Sequence, residues 1–213
     1  IKMTMKTLPI NLDTFGFVER EKKNVKPIIF RCGRDFLYYA LAYYKPDTFS
    51  PSKLCPSEIE RGGVFGLHVP WWMMWSALQF TKVPSMLKQN GLYLAINGKN
   101  IRNYFDFLFA HILPKKISAD YALSTVEASV NKGVVSAIDI GISMFGLVDH
   151  VLFVYGHDDE NLFVFDTQKL PMLEYEKQTK EGDNRFIMKL SKSVIHQRWT
   201  RWSRVWTISP KKL

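Results

Sequence analysis

Three residues of this chain carry side chains that together could perform nucleophilic chemistry: Cys32, His150 and Asp166. A cysteine thiolate is a strong nucleophile, an imidazole can take the thiol proton, and a carboxylate can fix the tautomer of that imidazole. Taken singly, each residue has a commoner structural role. A free cysteine usually packs as a small apolar side chain, and histidine and aspartate often bond to nearby backbone. Catalysis therefore requires that local structure bring the three together.

The residues around Cys32 predict a short strand followed by a helix. Residues 27–30 form an apolar β-type run, and a helical pattern of apolar residues extends from about Gly33 to Tyr44. Cys32 would then lie at or just before a helix N-terminus. Unpaired backbone N–H groups and the helix dipole favour a thiolate over a thiol at that position.

His150 and Asp166 stand at the ends of two predicted strands. His150 comes directly before a strand at 151–155, and Asp166 comes directly after one at 162–165. Turn-forming residues at 156–161 separate the two strands and predict a hairpin. In an antiparallel hairpin the start of one strand lies beside the end of the next. We therefore expect His150 and Asp166 to be neighbours at one edge of a sheet.

The remaining pattern predicts an α+β fold in which a helical lobe packs against an antiparallel β-sheet. Predicted helices come first along the chain, at 71–80, 83–89, 101–112 and 118–131, with a strand at 92–96. Predicted strands follow at 134–138, 151–155, 162–165, 186–190 and 204–208. Residues 1–26 are interpreted as a basic, irregular N-terminal arm, and residues 27–213 as a single domain.

Two further expectations concern side-chain orientation. In the predicted helix at 101–112, apolar residues that include Phe105 and Phe109 recur on one face with helical spacing. This face is expected to turn toward the core, with His111 one position away from it. His157 falls in an acidic turn and is expected to be exposed to solvent.

Composition excludes several classes of protein. The chain has 213 residues, of which 46% are hydrophobic, and its apolar runs are shorter than the roughly 18 residues of a membrane-spanning helix. It has two cysteines, no C-x-x-C motif and five scattered histidines. Neither a disulfide-rich scaffold nor a cysteine-type metal site is expected. We expect a soluble protein, cytoplasmic or exported, without metal or cofactor; a removed signal peptide is compatible with the start at Ile1.

The net charge of +9 is concentrated near the two ends of the chain, at residues 1–34 and 188–213. A basic surface can bind nucleic acid, an anionic membrane or an acidic protein. The commoner interpretation is a solvated face without a partner. The sequence leaves these alternatives open.

The order and local sequence of these elements resemble the papain-like cysteine peptidase superfamily, and specifically its bacteriocin-processing (double-glycine leader) peptidase-like branch. The resemblance covers roughly residues 27–209 and rests on Cys32-Gly33 with the following helix, on 149–159 and on 162–166. It implies that Cys32 is the nucleophile, His150 the general base and then acid, and Asp166 the orienting carboxylate. The implied reaction is hydrolysis of a peptide or amide through a thioester acyl-enzyme, and acyl transfer would use the same residues.

The chain departs from this family where an oxyanion donor is expected. Family members usually carry a glutamine several residues before the cysteine, and here no glutamine precedes Gln79. Loss of one oxyanion donor lowers the rate by about a hundred- to a thousandfold, so a replacement donor is needed. Asn24 is the candidate, because its side-chain amide can donate a hydrogen bond. Arg31 and Arg34 could lower the thiol pKa further or recognise an acidic group of a peptide or protein substrate. The missing glutamine also keeps open a catalytically inactive papain-like module that binds through its basic surface.

Overall fold

The structure, a computed structural model, describes residues 5–10, 32–48, 83–141, 149–166, 173, 176–177 and 187–212. The helices in these ranges are α1 Cys32–Tyr44, α2 Val83–Gln89, α3 Tyr104–Ile112, α4 Ala119–Asn131 and α5 Lys192–Arg198. The strands are β1 Lys6–Thr7, β2 Tyr93–Ile96, β3 Lys99–Ile101, β4 Val135–Gly141, β5 Asp149–His157, β6 Asn161–Phe165, β7 Glu176–Lys177, β8 Ile187–Ser191 and β9 Arg204–Ser209. The chain is therefore α+β, as predicted.

The described strands form one antiparallel sheet in the order β3-β2-β9-β4-β5-β6-β8-β7. β1 adds to this sheet by pairing with the far end of β5. β5 is consequently paired along both edges, with β4 and β1 on one side and β6 on the other. The strands predicted after residue 134 are all present within a few residues of their expected limits.

Side chains on the two faces of the sheet form two hydrophobic clusters. The first lies against α1, α2 and α3, and the second lies against α4 and α5. Successive residues of a strand point to opposite faces. In β5, Val151 and Phe153 belong to the first cluster, whereas Leu152 and Val154 belong to the second. Because both faces are covered, the strands have nearly continuous apolar sequences.

Local features explain where α4 begins and where the β2–β3 hairpin turns. The Ser118 hydroxyl accepts a hydrogen bond from the Tyr121 N–H at 3.1 Å, as an N-cap residue does. Asn97 and Gly98 have φ angles of 49° and 76°, as a two-residue type I′ turn requires. The sequence predicts β2 but not β3, whose first two residues, Lys99 and Asn100, are polar.

Helix α3 is rotated relative to the orientation predicted from its sequence. Phe107 is fully buried, whereas Phe105 and Phe109 are 66% and 55% exposed. The ring centroids of Phe107 and His111 lie 5.7 and 5.4 Å from that of Trp206 in β9. The expectation that Phe105 and Phe109 face the core is wrong. The opposite face of the helix, which carries Phe107 and His111, packs against Trp206. This packing decides the orientation of α3, although the predicted face has more apolar residues.

The N-terminal segment contributes to the sheet. Lys6 and Thr7 pair with the end of β5, and Leu8 is buried in the first cluster. The interpretation of the lead-in as irregular is therefore wrong for these residues. His157 is only 8% exposed, and its Nε2 atom lies 3.2 Å from Oδ1 of Asn131. The expected exposure of His157 is also wrong, because β1 and the end of α4 lie against it.

Candidate active site

His150 and Asp166 are in direct contact. His150 Nε2 lies 3.0 Å from Asp166 Oδ1, and each side chain is 1% exposed. His150 is the second residue of β5, and Asp166 directly follows β6. The predicted proximity of the two residues is confirmed.

The hairpin turn at the opposite end of these strands helps to determine how β5 and β6 are aligned, and hence that His150 lies beside Asp166. The Asp158 carboxylate accepts hydrogen bonds from the N–H groups of Glu160 and Asn161 at 2.9 and 2.7 Å, which closes a tight turn. Burial raises the pKa of Asp158, but these hydrogen bonds and one from the Asn161 side chain outweigh it and lower the pKa below its ordinary value. The ladder shifts register between Val154 and Gly156, so the turn and this irregularity together set the register that brings His150 to Asp166.

Pairing with β4 holds His150 in place. It lies opposite Ile140 of β4, while Phe153 and Phe165 pair across the β5–β6 ladder. Continuing that ladder by one residue places Asp166 opposite Leu152, so that His150 and Asp166 are diagonal neighbours on one face. His150 is therefore held within the sheet, whereas Asp166 stands one residue beyond the end of β6.

Cys32 is the first residue of α1, as the sequence predicts. The side chains of Cys32 and Arg34 lie outside the part that the structure describes, as do Asn24, Arg31 and Cys55 entirely. The structure therefore brings two of the three candidate catalytic side chains together and gives the backbone position of the third.

Aromatic contacts fix the position of α1 on the sheet. The Phe36 ring lies 6.1 Å from Phe153 and 6.0 Å from Trp206, measured between centroids. One turn further along, the Tyr39 ring lies 5.8 Å from Phe153 and 5.9 Å from Phe165. The helix that begins at Cys32 thus packs directly on the two strands that carry His150 and Asp166.

The direction of α1 brings its N-terminus toward the His150 edge of the sheet. Its last residue, Tyr44, bonds to Val135 at the start of β4, whereas Phe36 packs at the level of Phe153. Cys32 is about 6 Å beyond Phe36 along the helix axis. His150 is about 10 Å beyond Phe153 along β5. Both residues therefore lie toward the same end of the molecule.

A buried ion pair that sequence reasoning missed lies beside this edge. Arg204 Nε is 2.7 Å from Asp139 Oδ2, and the Trp206 indole donates to the same oxygen at 3.3 Å. Asp139 pairs with Val151, the residue after His150, on the face covered by α1. The available signal was a single charged residue, Asp139, within the otherwise uncharged β4. The pair links β4 to β9 on the face of the sheet against which α1 packs.

Of the histidines that the structure describes, His111 also lies near this edge, and it is not a good proton donor. Its Nδ1 lies 3.1 Å from the Phe107 carbonyl, and its own carbonyl accepts from Arg204 Nη1 at 3.3 Å. Burial lowers the pKa of His111 well below its ordinary value, and the neighbouring charge of Arg204 lowers it further. The imidazole is therefore neutral at physiological pH.

Comparison of the chain with protein-family models, with curated proteins and with solved structures found no match. Within the described ranges, no group of three or more His, Cys, Asp or Glu side chains is placed to hold a metal ion. Among the helices described, none is long and apolar enough to cross a membrane. The chemistry of the site is therefore inferred from its own residues.

Proposed function

We propose that this protein is a cysteine-dependent hydrolase of peptide or other amide bonds, with a papain-like architecture. Cys32 is the nucleophile, His150 the general base and acid, and Asp166 the carboxylate that orients the imidazole. The observation that carries the proposal is the buried 3.0 Å contact between His150 and Asp166. It lies toward the end of the sheet to which the N-terminus of the Cys32 helix points.

The geometry of the pair supports one choice of proton-transfer atom. Because Nε2 of His150 is the nitrogen beside Asp166, a proton taken from the thiol goes to Nδ1. By strand alternation His150 shares the face of Leu152, whereas α1 covers the face of Val151. The proposal therefore requires that the sulfur reach Nδ1 across the end of β5, where the strand begins.

The reaction proceeds in two balanced stages. The Cys32 proton passes to His150, the sulfur attacks the carbonyl carbon, and the C–N bond breaks as the imidazolium returns the proton to the leaving amine. A thioester remains on Cys32. Water then gives a proton to His150 and attacks the thioester, the C–S bond breaks, and the proton returns to the sulfur as a carboxylic acid leaves.

The developing oxyanion needs hydrogen-bond donors near the start of α1. The Cys32 backbone N–H is one candidate because the first N–H groups of a helix have no partner within the helix. The Asn24 side chain is the proposed second donor, in the role usually taken by glutamine. Arg31 and Arg34 are the proposed contacts for an acidic group of the substrate.

An inactive binding module remains the competing function, motivated by the missing glutamine and the net charge of +9. The two functions differ in what they require of the thiol. A catalytic Cys32 must be a reactive thiolate at neutral pH and must depend on His150. A binding module has no such requirement.

Alkylation by iodoacetamide tests the proposal, with Cys55 as a control cysteine in the same chain. Labelling of each cysteine is followed by peptide mass spectrometry between pH 5 and 9. We expect Cys32 to react at least about tenfold faster than Cys55 near neutral pH, since only the thiolate reacts. We expect H150A to abolish this difference, with circular dichroism used to verify that the variant is folded. Equal rates for the two cysteines in the folded wild type contradict the proposal.

Turnover is tested separately with a mixed library of internally quenched fluorogenic peptides. The wild type is expected to cleave a subset of the library, whereas C32S is expected to cleave none and C55S to match the wild type. If Cys32 is reactive but the library remains intact, acyl transfer to an added amine is the next reaction to measure.

A further inference from the structure

Helix α3 presents a stripe of large apolar side chains to solvent. Phe105, Phe109 and Leu113 are 66%, 55% and 70% exposed and recur every four residues. They lie on one side of the helix over a length of about 12 Å. The described part of the chain has five exposed large hydrophobic residues, and three of them form this stripe. Such a concentration of exposed apolar surface usually marks a site of interaction.

The helix is held in this orientation by contacts on its opposite face. Phe107 is fully buried against Trp206, and the His111 backbone carbonyl accepts from Arg204. At the N-terminus, the Asn103 side chain caps the helix by accepting from the Asp106 N–H at 3.0 Å. Turning the stripe inward would remove Phe107 from the core, so its exposure follows from the packing of the helix.

Basic residues flank the stripe at both ends. Lys99 and Arg102 precede α3, Lys115 and Lys116 follow it, and all four are exposed. Asp106 is the sole acidic residue between positions 99 and 116, and its carboxylate lies 3.3 Å from Arg102 Nε. The surface is therefore apolar along its centre and positively charged at each end.

We propose that this α3 surface docks on an anionic lipid bilayer. A helix that lies in the membrane interface places its large apolar side chains at the boundary of headgroups and acyl chains, while lysines and arginines attract anionic headgroups. Phe105, Phe109 and Leu113 supply the first contact, and the four flanking basic residues supply the second. Charge complementarity favours a lipid surface with net negative charge over a neutral one. The proposal does not depend on the thiol chemistry of Cys32.

Vesicle co-sedimentation tests the proposal with the full chain. The vesicles are phosphatidylcholine alone, or phosphatidylcholine with phosphatidylserine at about two to one, so that the second surface is anionic. We expect binding to the anionic vesicles and at least about tenfold weaker binding to the neutral ones, since each basic residue near such a surface contributes about 1 kcal/mol. C32A should bind as the wild type does, which separates this result from the proposed hydrolase.

Two variants test the apolar part and the basic part of the α3 surface separately. F105S/F109S is expected to weaken binding to anionic vesicles at least about tenfold, because interfacial burial of two aromatic side chains is lost. K115E/K116E is expected to remove the preference for anionic vesicles. The matched controls are M5S and K132E, which alter exposed residues away from α3 and should bind as the wild type does.

Other occupants of the stripe give different results, each of which overturns the proposal. Failure of the wild type to sediment with anionic vesicles overturns it directly, and so does an equal loss in M5S or K132E. A concentration-dependent dimer that F105S/F109S dissociates would assign the surface to a second copy of the chain. A lower thermal midpoint in F105S/F109S, without vesicle binding by the wild type, would assign it to another segment of the chain. Binding of short duplex DNA in place of vesicles, lost in K115E/K116E but kept in F105S/F109S, would assign it to nucleic acid.

Discussion

The hydroxyl of Tyr44 joins the last turn of α1 to the backbone of Ile208 in β9. It donates to the Ile208 carbonyl at 2.7 Å and accepts from the Val135 N–H at 3.1 Å. Burial raises the pKa of Tyr44 to about 12, so the phenol keeps its proton at physiological pH and can make both bonds. One hydroxyl thus attaches the helix that begins at Cys32 to two neighbouring strands.

Tyr44→Phe removes this attachment and should lower the free energy of unfolding by about 1–3 kcal/mol, because it leaves a backbone donor and acceptor unpaired. The measurement is urea denaturation followed by circular dichroism. Tyr121→Phe, which alters an exposed tyrosine, serves as the control and should change stability by less than about 0.5 kcal/mol. Equal stability of Tyr44→Phe and the wild type would show that these bonds contribute nothing net.

The Asp166→Asn variant tests whether Asp166 orients the His150 imidazole or only stabilises the fold. The amide keeps the shape of the carboxylate but loses its charge, so it can hold the wrong tautomer of His150. We expect Cys32 alkylation at neutral pH to fall by about tenfold or more, toward the rate of Cys55. The pH–rate profile is the readout, since a purely structural role would lower the thermal midpoint without changing the profile. An unchanged profile in a folded variant contradicts the assigned role of Asp166.

Removing one partner of the Asp139–Arg204 pair should lower the free energy of unfolding far more than removing both. Arg204→Met leaves the buried Asp139 carboxylate without its counter-charge and should destabilise the protein by about 3–5 kcal/mol. Asp139→Asn combined with Arg204→Met removes both charges and should recover most of that loss. Urea denaturation of the single and double variants provides the double-mutant cycle. Strictly additive effects would show that the two side chains are not coupled.

Gly156→Ala should detach β1 from the sheet. An added Cβ would lie 2.8 Å from both the Lys6 carbonyl oxygen and the Thr7 Cγ2 atom. We expect a loss of about 1–3 kcal/mol from this overpacking. Hydrogen exchange of the Leu8 N–H, which donates to the Tyr155 carbonyl at 2.7 Å, should become faster.

Gly91→Ala is the contrasting change for that experiment. Its φ of +70° disfavours alanine, but no heavy atom lies within 4 Å of the added Cβ. It should lower stability by about 1–2 kcal/mol through backbone strain and leave Leu8 exchange unchanged. Faster Leu8 exchange in both variants would indicate general destabilisation rather than local detachment of β1.

Stability should fall as the pH drops below the ordinary pKa of histidine. Burial lowers the pKa of His111 and of His157 in the folded protein. The unfolded chain therefore binds more protons than the folded chain once the pH falls below about 6.5. Each histidine should cost up to about 1.4 kcal/mol per pH unit in this range. Unfolding free energies measured from pH 8 to 5 should decline below that pH, and His157→Gln should reduce the slope.

Much of the fold follows from local sequence signals. The turn-forming residues between β5 and β6 and the strand periodicity predict that His150 and Asp166 are neighbours, but they do not predict the register shift between Val154 and Gly156. The helix after Cys32 and the Ser118 cap of α4 are equally local features. The orientation of α3 could not be predicted, because it depends on Trp206, which is about 100 residues away in the chain. The Asp139–Arg204 pair was missed for the same reason, since β4 and β9 meet only in the folded sheet.

The pairing of β5 along both edges covers residues 153–157 but does not extend to His150, which pairs only with β4. A strand bonded along both edges and covered on both faces belongs to the part of a protein that opens only in global unfolding. Amide hydrogens in this doubly paired part of β5 should therefore be among the slowest to exchange. The His150–Asp166 contact lies beyond that part, so local opening of this end of the sheet would separate the imidazole from its carboxylate without unfolding the rest of β5.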